Sequence, residues 1–254
     1  MTKGHRTFGL LGFPLGHSFS RRYFTEKFSN EGVDAEYVNF EFDSLDKLSE
    51  IFRRYPDISG FNVTIPYKER ILDWLNDIDE TARTIGAVNT VKVYHDNTDG
   101  YWLKGYNTDI IGFSDSISSM LTSECHSALV LGTGGASKAV MAGLRKLGIE
   151  AIPVSRRNVE AGFSYARLTP GIVSEHKVIV NTTPLGMFPD IYSFPDIPYE
   201  GIGVGHVCYD LVYNPAFTAF MGKCRDRGAN VKCGLEMLYG QAEAAWDLWN
   251  NENY

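Results

Sequence analysis

A glycine-rich turn between an apolar strand and a helix is the feature that most constrains the fold of this chain. The apolar run 126–131 leads into the turn Gly132-Thr133-Gly134-Gly135-Ala136-Ser137, and helical periodicity continues over residues 137–147. In such a unit, Gly132 permits the tight turn, Gly134 lets the backbone approach a pyrophosphate, and the helix N-terminus attracts the anion. The pattern therefore predicts a dinucleotide site. Ser137 replaces the usual glycine or alanine, and an ordinary glycine-containing turn is the alternative.

Strand-like and helical segments alternate along the chain. Short apolar or alternating runs indicate strands, and apolar positions three and four residues apart indicate helices. This alternation predicts the α/β class with mostly parallel sheets. The predicted strands cover residues 6–12, 37–42, 60–65, 88–94, 101–105, 126–131, 150–155, 177–181, 206–210 and 230–232. The predicted helices cover residues 21–30, 44–54, 68–75, 79–85, 109–117, 137–147, 216–226 and 235–249.

The pattern also predicts two domains without a flexible linker between them. The first is an α/β domain over residues 1–108, completed by a C-terminal helix at 235–254, and the second is a Rossmann-like domain over residues 109–234. The 254 residues are enough for two modest domains, each with its own core. The last helix is then expected to cross back onto the first domain.

Charge and cysteine usage exclude several classes of function. The net charge of −7, from 24 basic and 31 acidic side chains, argues against a nucleic-acid-binding surface. The four cysteines lie far apart without a CxxC pair, so we expect reduced thiols rather than disulfides or a zinc site. The six histidines show no ligand-like spacing, so no metal site is expected. Without a signal peptide or an apolar run long enough to span a membrane, we expect a soluble cytoplasmic protein with no membrane partner.

The end of the strand after the glycine turn indicates which dinucleotide is bound. In an NAD site, an acidic residue near this position receives the ribose 2′-hydroxyl. Here the predicted strand 150–155 ends in Ser155-Arg156-Arg157, without a carboxylate. A serine and two guanidiniums suit a 2′-phosphate, because arginine offers forked, permanently charged donors. The pattern favours NADP over NAD, with a solvated charged turn as the alternative.

Lys68 in the segment NVTIPYKE and Asp109 in the segment GYNTD are the candidate proton-transfer residues. Oxidation of a secondary alcohol needs a base for the hydroxyl proton as hydride leaves carbon, and the conjugate acid serves the reverse reaction. A lysine can act as that base when burial or a positive neighbour favours its neutral form. The charge of Asp109 would oppose this while orienting the lysine or the hydroxyl, and the residues alone leave the balance open. Taken singly, Lys68 could be a surface helix residue and Asp109 a helix cap.

Taken together, the motifs of the chain resemble those of the shikimate dehydrogenase family. The resemblance covers nearly the whole length and rests on eight motifs in the family's order: Gly12-Phe13-Pro14 with His17-Ser18-Phe19-Ser20, Asn62-Val63-Thr64-Ile65-Pro66-Tyr67-Lys68, Gly86-Ala87-Val88-Asn89-Thr90, Gly105-Tyr106-Asn107-Thr108-Asp109, the glycine turn, Asn181-Thr182-Thr183-Pro184-Leu185-Gly186-Met187, Asp210-Leu211-Val212-Tyr213-Asn214-Pro215, and Gly234-Leu235 leading to Gln241. It implies an N-terminal substrate domain and a Rossmann-like NADP-binding domain with a cleft between them. The implied reaction is the reversible reduction of 3-dehydroshikimate to shikimate with NADPH, a step of chorismate and aromatic amino acid biosynthesis.

The resemblance also implies roles for individual residues. Lys68 would be the acid/base, with Asp109 as its partner. The substrate carboxylate would be held by Ser18 and Ser20, with help from Tyr213. The ring hydroxyls would be bound by Thr64, Asn89, Asp109 and Gln241, with Asn62 nearby. The candidate cofactor-binding residues are Gly132, Gly134, Gly135, Ala136, Ser155, Arg156, Arg157, Thr182 and Gly234.

The chain departs from the family's pattern in a few places. Arg21 stands where a proline usually follows the second serine, and Phe24-Thr25 replaces a His-Asn pair. Glu236 stands at a usual glycine, and Lys138 where arginine is frequent. We hypothesise that Arg21 alters the carboxylate pocket and substrate choice. The alternatives are a paralogue acting on quinate or another cyclic polyol, and a non-catalytic NADP-responsive binding protein. Both monomer and homodimer remain open.

Overall fold

The computed structural model of the protein describes residues 4–16, 19–95, 100–157 and 160–251. The chain divides into two units, one formed by Met1–Thr108 with Ala242–Tyr254 and the other by Asp109–Gln241. In the described part of the chain, each unit contains a six-stranded sheet with helices packed on it, which confirms the predicted α/β class. Among these described residues, no helix combines the length and the apolar content that crossing a membrane requires.

The described helices and strands follow one another along the chain with few long connections. The strands are β1 (Arg6–Gly12), β2 (Ala35–Glu41), β3 (Ile58–Val63), β4 (Asp77–Ile78), β5 (Thr90–His95), β6 (Tyr101–Tyr106), β7 (Ser127–Leu131), β8 (Glu150–Ser155), β9 (Phe163–Ser164), β10 (Val178–Asn181), β11 (Val207–Asp210) and β12 (Asn230–Cys233). The α-helices are α1 (Phe19–Glu31), α2 (Ser49–Arg54), α3 (Glu80–Ile85), α4 (Asp109–Ser118), α5 (Gly135–Lys146), α6 (Pro170–Glu175), α7 (Ala219–Arg225) and α8 (Leu235–Asn250).

The first unit is built around a mixed sheet of order β2-β1-β3-β5-β6-β4. Strand β1 pairs in parallel with β2 and β3, whereas β5 pairs antiparallel with β3 and β6. Side chains on a strand alternate between its two faces, and β1 accordingly contributes Phe8 and Leu10 to one apolar cluster and Leu11 to another. The cluster of Phe8 also contains apolar residues of α1 and of the end of α8, among them Phe24 and Trp249.

Gly60 in β3 lets the end of α8 lie close against this sheet. A Cβ at position 60 would overlap the Trp249 indole and lie 2.8 Å from the carbonyl oxygen of Val91. Trp249 donates its indole N–H to that oxygen at 3.0 Å, and its ring centroid lies 4.8 Å from that of Phe8. Position 60 therefore has no room for a side chain.

The second unit has the strand order of a dinucleotide-binding fold. Its sheet runs β12-β11-β10-β7-β8-β9, and every described pair is parallel. Counted from β7, this is the order 3-2-1-4-5-6 of the Rossmann fold, whose ligands bind at the carboxyl ends of the strands where the order reverses. Here the order reverses between β7 and β10. The prediction of a Rossmann-like fold in this part of the chain is confirmed.

Some predicted elements differ from the structure. The predicted helix 68–75 is wrong, because the segment forms turns and a short 3₁₀ helix at Arg70–Trp74. Buried Tyr67 donates its hydroxyl to the Phe42 carbonyl at 2.7 Å, and the Val88 N–H donates to the Lys68 carbonyl at 2.7 Å, so tertiary contacts direct this backbone. The predicted helix 44–54 is divided into a 3₁₀ turn and α2. The sequence does not predict strands β4 and β9 or helix α6. The segment Asp96-Asn97-Thr98-Asp99-Gly100 is typical of a turn, and its first four residues lie outside the described residues.

Asp210 at the end of β11 is a buried carboxyl held by three hydrogen-bond donors. Its Oδ1 accepts from the Asn181 side chain at 2.9 Å and from the Val212 N–H at 3.0 Å, and its Oδ2 accepts from the Thr218 hydroxyl at 2.6 Å. Burial raises the pKa of Asp210 to about 6, although these donors favour the charged form. The carboxyl therefore ties β10 and α7 to β11 at the cost of removing its charge from water.

Gly60→Ala tests the close packing of α8 on the sheet. We expect the free energy of unfolding to fall by about 2 kcal/mol or more, because the added methyl group displaces Trp249 and breaks its hydrogen bond. Urea unfolding followed by circular dichroism measures the change. Gly203→Ala is the matched control, since no atom lies within 4 Å of its Cβ position, and should change stability little. Equal stability of the Gly60→Ala variant and the unmodified protein would refute the packing argument.

Asp210→Asn tests the buried carboxyl. The folded-state pKa of about 6 lies above the ordinary value of about 3.9, so the folded protein binds the proton more tightly than the unfolded chain. The free energy of unfolding should therefore fall as pH rises from about 4 to about 6, by about 3 kcal/mol from this group. The asparagine variant should lack this component in urea titrations across that range. A variant with the same pH slope as the unmodified protein would show that Asp210 is not its source.

Candidate active site

Lys68 lies in the loop that leaves the carboxyl end of β3. The Thr64 N–H donates to the Leu11 carbonyl at 2.9 Å, and the Tyr67 N–H donates to the Thr64 carbonyl at 2.9 Å. The Val88 N–H then binds the Lys68 carbonyl, so the main chain on both sides of the lysine is fixed. The Lys68 and Thr64 side chains are both half-buried. This places a primary amine and a hydroxyl on a rigid loop at the end of the parallel part of the sheet.

Asn62 and Asn89 meet at the junction of β3 and β5, and both are buried. The Asn62 amide nitrogen donates to the Asn89 carbonyl at 3.3 Å and to the Thr90 hydroxyl at 3.1 Å. Both of its protons are therefore used inside the protein. The Asn62 amide oxygen accepts from the Tyr37 hydroxyl at 2.8 Å. Asn62 thus has the geometry of a support for neighbouring groups.

Asn89 connects this junction to the residue that precedes Asp109. Its amide oxygen accepts from the Thr108 N–H at 2.6 Å, and its amide nitrogen donates to the Thr108 hydroxyl at 3.0 Å. The Asn107 side chain donates to the Ala87 carbonyl at 2.8 Å. Asp109 itself is buried and begins α4, where the N-terminal end of the helix favours a carboxylate.

The candidate carboxylate-binding residues are described in part. Ser18 lies outside the described residues. Ser20 is half-buried in α1 and is a hydrogen-bonding neighbour of the Tyr37 hydroxyl. Tyr213 is half-buried after β11. Arg21, the residue that departs from the family's pattern, is exposed and lines a groove of about 350 Å³ between α1 and β2.

Gln241 lies in α8 within the second unit. It is half-buried, and its side-chain nitrogen donates to the Leu238 carbonyl at 2.9 Å. Its helix crosses α4 closely, because a Cβ at Gly112 would lie 2.7 Å from the Gln241 backbone nitrogen. The backbone of Gln241 is therefore fixed by α4.

The glycine turn after β7 takes the shape that the sequence predicts. Gly132 has a φ of 114°, and a Cβ there would lie 2.6 Å from the Thr182 hydroxyl oxygen. That hydroxyl donates to the Leu131 carbonyl at 2.7 Å, which places β10 against the turn. Buried Ser137 donates its hydroxyl to the Gly132 carbonyl at 2.7 Å. The serine that departs from the fingerprint thus closes the turn through its own hydrogen bond.

The first turn of α5 is open to an anion. Gly134 caps the helix without a side-chain hydrogen bond, and no atom lies within 4 Å of its Cβ position. Gly135 and Ala136 follow in the first turn and carry no polar side chain. The first amides of a helix have no partner inside the helix, so this end can receive a phosphate through backbone N–H groups.

Ser155 is the last residue of β8, and Arg156 and Arg157 follow it as exposed side chains. The Arg157 N–H donates to the Ser155 hydroxyl oxygen at 3.3 Å, which closes a small turn. Two guanidiniums therefore stand at the carboxyl end of the strand next to β7. This is the end of the sheet at which Rossmann folds bind dinucleotides.

Close packing against Leu211 requires glycine at position 234, and the sequence does not reveal this contact. A Cβ at this position would overlap the Leu211 carbonyl oxygen and lie 2.7 Å from its carbon. The sequence assigns no role to Asn181 and Asp210, although both lie in motifs of the chain. Their hydrogen bond holds the carboxyl ends of β10 and β11 together. Their spacing of 29 residues carries no local signal of the contact.

No group of three histidine, cysteine, aspartate or glutamate side chains suited to a metal ion is found among the described residues. The four cysteines are present as free thiols.

The chain is similar in sequence to shikimate dehydrogenases over most of its length. The family model described as "Shikimate dehydrogenase substrate binding domain" matches residues 10–91. The shikimate dehydrogenase (NADP(+)) of Caldicellulosiruptor saccharolyticus is 35% identical, with 94% of this chain and 90% of that protein covered. The enzyme of the same name from Nitrosopumilus maritimus is 34% identical, with 96% and 93% covered.

Solved structures show the same relationship. Shikimate dehydrogenase from Aquifex aeolicus has a TM-score of 0.84 at 34% identity and covers 96% of this chain and 92% of its own. Shikimate 5-dehydrogenase from Thermus thermophilus, solved with NADP(H) and shikimate, has a TM-score of 0.82 at 30% identity and covers 96% and 93%. A quinate dehydrogenase from Corynebacterium glutamicum with NAD has a TM-score of 0.84 at 24% identity, which shows the fold alone. By sequence identity over nearly its full length, the chain belongs to the shikimate dehydrogenase family.

Proposed function

We propose that the protein catalyses the reversible NADPH-dependent reduction of 3-dehydroshikimate to shikimate. The observation that carries the proposal is the match to shikimate dehydrogenases (NADP(+)) at about 35% identity over more than nine-tenths of the chain. Lys68 supports it, since its backbone carbonyl accepts from the N–H of Val88, the residue before Asn89, in the fixed loop after β3. The proposal places the reaction in chorismate and aromatic amino acid biosynthesis and the protein in the cytoplasm, as a monomer or a homodimer.

The glycine turn and the strand end after it fit NADP. The uncapped first turn of α5, with Gly134, Gly135 and Ala136, would hold the pyrophosphate through backbone N–H groups. Arg156 and Arg157, with the Ser155 hydroxyl, would hold the 2′-phosphate. Thr182 and Gly234 would line the rest of the site through their backbone positions. When bound, NADPH supplies the hydride that reduces the substrate carbonyl.

Lys68 and Asp109 are assigned to proton transfer. In the reduction, the Lys68 ammonium donates a proton to the carbonyl oxygen, which becomes the hydroxyl of shikimate. In the oxidation, the neutral amine takes that proton back. Asp109 accepts a hydrogen bond from the reacting hydroxyl or from the ammonium and keeps the two in line. Proton transfer by a positioned group of this kind is worth about 10²- to 10⁴-fold in rate.

The remaining polar residues are assigned to recognition of the ring. Ser18, Ser20 and Tyr213 hold the carboxylate through hydroxyl donors, and Thr64, Asn89 and Gln241 bind hydroxyls, with Asn62 behind them. A site built from buried hydroxyls and amides rejects analogues that leave those groups without partners. In domain terms, residues 1–108 with helix 235–254 are proposed as the substrate domain and residues 109–234 as the NADP domain.

The first experiment measures absorbance at the reduced-nicotinamide band, with purified protein supplied with shikimate or quinate and with NADP or NAD. NADPH formation with shikimate and NADP is the expected result. Equal rates with quinate or NAD would replace the proposal with a broader polyol dehydrogenase. No turnover in any combination, with NADP still bound, would instead support a cofactor-responsive binding protein.

Lys68→Ala tests the acid/base assignment. We expect kcat for shikimate oxidation to fall by about 10²- to 10⁴-fold, because no positioned group then receives the hydroxyl proton. NADP binding, measured by fluorescence titration, should be unchanged. Lys47→Ala is the matched control, since Lys47 is an exposed lysine of the same unit that pairs with Asp43. A Lys68→Ala variant with normal turnover would remove Lys68 from the mechanism.

The double variant Arg156→Ala/Arg157→Ala tests the choice of cofactor. Each charge-assisted hydrogen bond to a phosphate is worth about 1.5–3 kcal/mol, so kcat/KM for NADP should fall at least about 100-fold. The value for NAD should change little, because NAD has no 2′-phosphate. Lys146→Ala, in the last turn of α5 before β8 begins, is the control, because it removes a positive charge of the same unit without touching this strand end. Equal losses for the two cofactors would contradict the assignment.

A further inference from the structure

Tyr37 is a buried polar residue to which neither the motifs nor the family match assigns a role. It lies in β2 with 3% of its surface exposed. Its ring stacks on Phe24 of α1, with centroids 4.7 Å apart and planes inclined by 11°. Burial raises the pKa of Tyr37 well above its usual value, so the phenol keeps its proton around neutral pH. The hydroxyl therefore remains a hydrogen-bond donor in the folded protein.

The partner of this hydroxyl is fixed by the groups around Asn62. The Asn89 carbonyl oxygen can only accept, so the Asn62 amide must face it with its nitrogen, 3.3 Å away. The Asn62 oxygen then faces Tyr37, and Tyr37 must be the donor of the 2.8 Å hydrogen bond between them. The orientation of the Asn62 amide thus follows from the chemistry of its partners at both ends.

The same network continues to the residues proposed to bind the ring hydroxyls. Asn62 donates to the Thr90 hydroxyl, which lies 3.2 Å from the Asn89 amide oxygen and 3.1 Å from the Thr108 hydroxyl. On its other side, the Tyr37 hydroxyl has Ser20 of α1 as a hydrogen-bonding neighbour. A set of buried hydrogen bonds therefore runs from Tyr37 through Asn62 to Thr90 and Asn89, with Ser20 beside Tyr37.

We infer that Tyr37 is a positioning residue for the substrate: its hydroxyl holds the Asn62 amide, behind the proposed hydroxyl site, in one arrangement before substrate binds, next to Ser20 of the proposed carboxylate site. This inference rests on the proposed function. A site ordered in advance binds more tightly, because the ligand does not have to order it. Without the Tyr37 hydroxyl, the Asn62 oxygen loses its donor, and the Asn62 amide is held at its nitrogen alone, by the Asn89 carbonyl and the Thr90 hydroxyl. The cost of ordering the Asn62 amide then falls on substrate binding, whereas Lys68 and the cofactor-binding turn are unaffected.

Tyr37→Phe tests this inference, because it removes the hydroxyl and keeps the ring stacked on Phe24. We expect the KM for shikimate to rise about tenfold, which corresponds to about 1.4 kcal/mol. The kcat and the KM for NADP should stay within about twofold of the unmodified protein. If the Tyr37 hydroxyl had a purely structural role, Tyr37→Phe would lower the free energy of unfolding without a selective rise in the KM for shikimate.

Tyr209→Phe is the matched control. Tyr209 is fully buried in β11, and its hydroxyl also makes one hydrogen bond of 2.8 Å, with Ser116. The Tyr209→Phe variant should have a lower free energy of unfolding in urea but the same KM for shikimate as the unmodified protein. If Tyr37→Phe does not fold, Asn62→Ala removes the acceptor instead and should raise the same KM. The double variant Tyr37→Phe/Asn62→Ala should have a KM for shikimate no higher than that of Asn62→Ala alone, because both changes break the same hydrogen bond.

The outcomes separate this inference from the proposed function. A selective rise in the KM for shikimate in Tyr37→Phe supports the positioning role. An unchanged KM in that variant, or the same rise in Tyr209→Phe, overturns it while leaving the proposed function intact. An unmodified protein that does not oxidise shikimate at all refutes the proposed function and this inference with it.

Discussion

The hydrogen bonds of Asn89 hold the first unit together at the junction of β3, β5 and β6. Its carbonyl accepts from the Val63 N–H at 2.8 Å and from the Asn62 side chain, and its own N–H donates to the Tyr106 carbonyl at 3.1 Å. Its side chain binds Thr108 twice. One residue thus joins the ends of β3, β5 and β6. Because all of these groups are buried, each unmade bond would be costly, and the arrangement has little freedom to change.

In the second unit, a buried carboxyl group joins the ends of the strands. Asp210 accepts from Asn181, Val212 and Thr218 and so joins the ends of β10 and β11 to α7. An amide such as Asn89 makes its hydrogen bonds without a net charge, whereas Asp210 must lose the hydration of a carboxylate. This difference is the physical reason that the second junction, unlike the first, is sensitive to pH. In both units the polar junction stands at strand ends, where backbone groups leave the sheet ladder and need other partners.

The sequence predicted well the elements whose period and flanking signals agree. Strand β8 and the helix after the glycine turn were found close to their true limits, because apolar spacing and glycine position point the same way. The sequence after Pro66 predicts a helix, but buried Tyr67 and the backbone contact to Val88 impose turns. Helix α6 is short, and its Thr169 cap, which accepts from the Ile172 N–H at 3.2 Å, was not used as a signal. In the sequence, nothing distinguishes Tyr37 from the other residues of its strand, because its hydrogen-bond partner Asn62 lies 25 residues away.

The sequence by itself determined the α/β class, the Rossmann-like half, the family and the candidate reactive groups, because these depend on local periodicity and on motifs within a few residues. Only the tertiary structure decided which polar groups are already bonded to one another. In the folded protein, both amide protons of Asn62 are hydrogen-bonded and its oxygen accepts from Tyr37. The Ser137 hydroxyl closes the glycine turn, and positions 60 and 234 have no space for a side chain. Hydrogen-bond capacity and free volume depend on residues far apart in the chain, and folding alone brings those residues into contact.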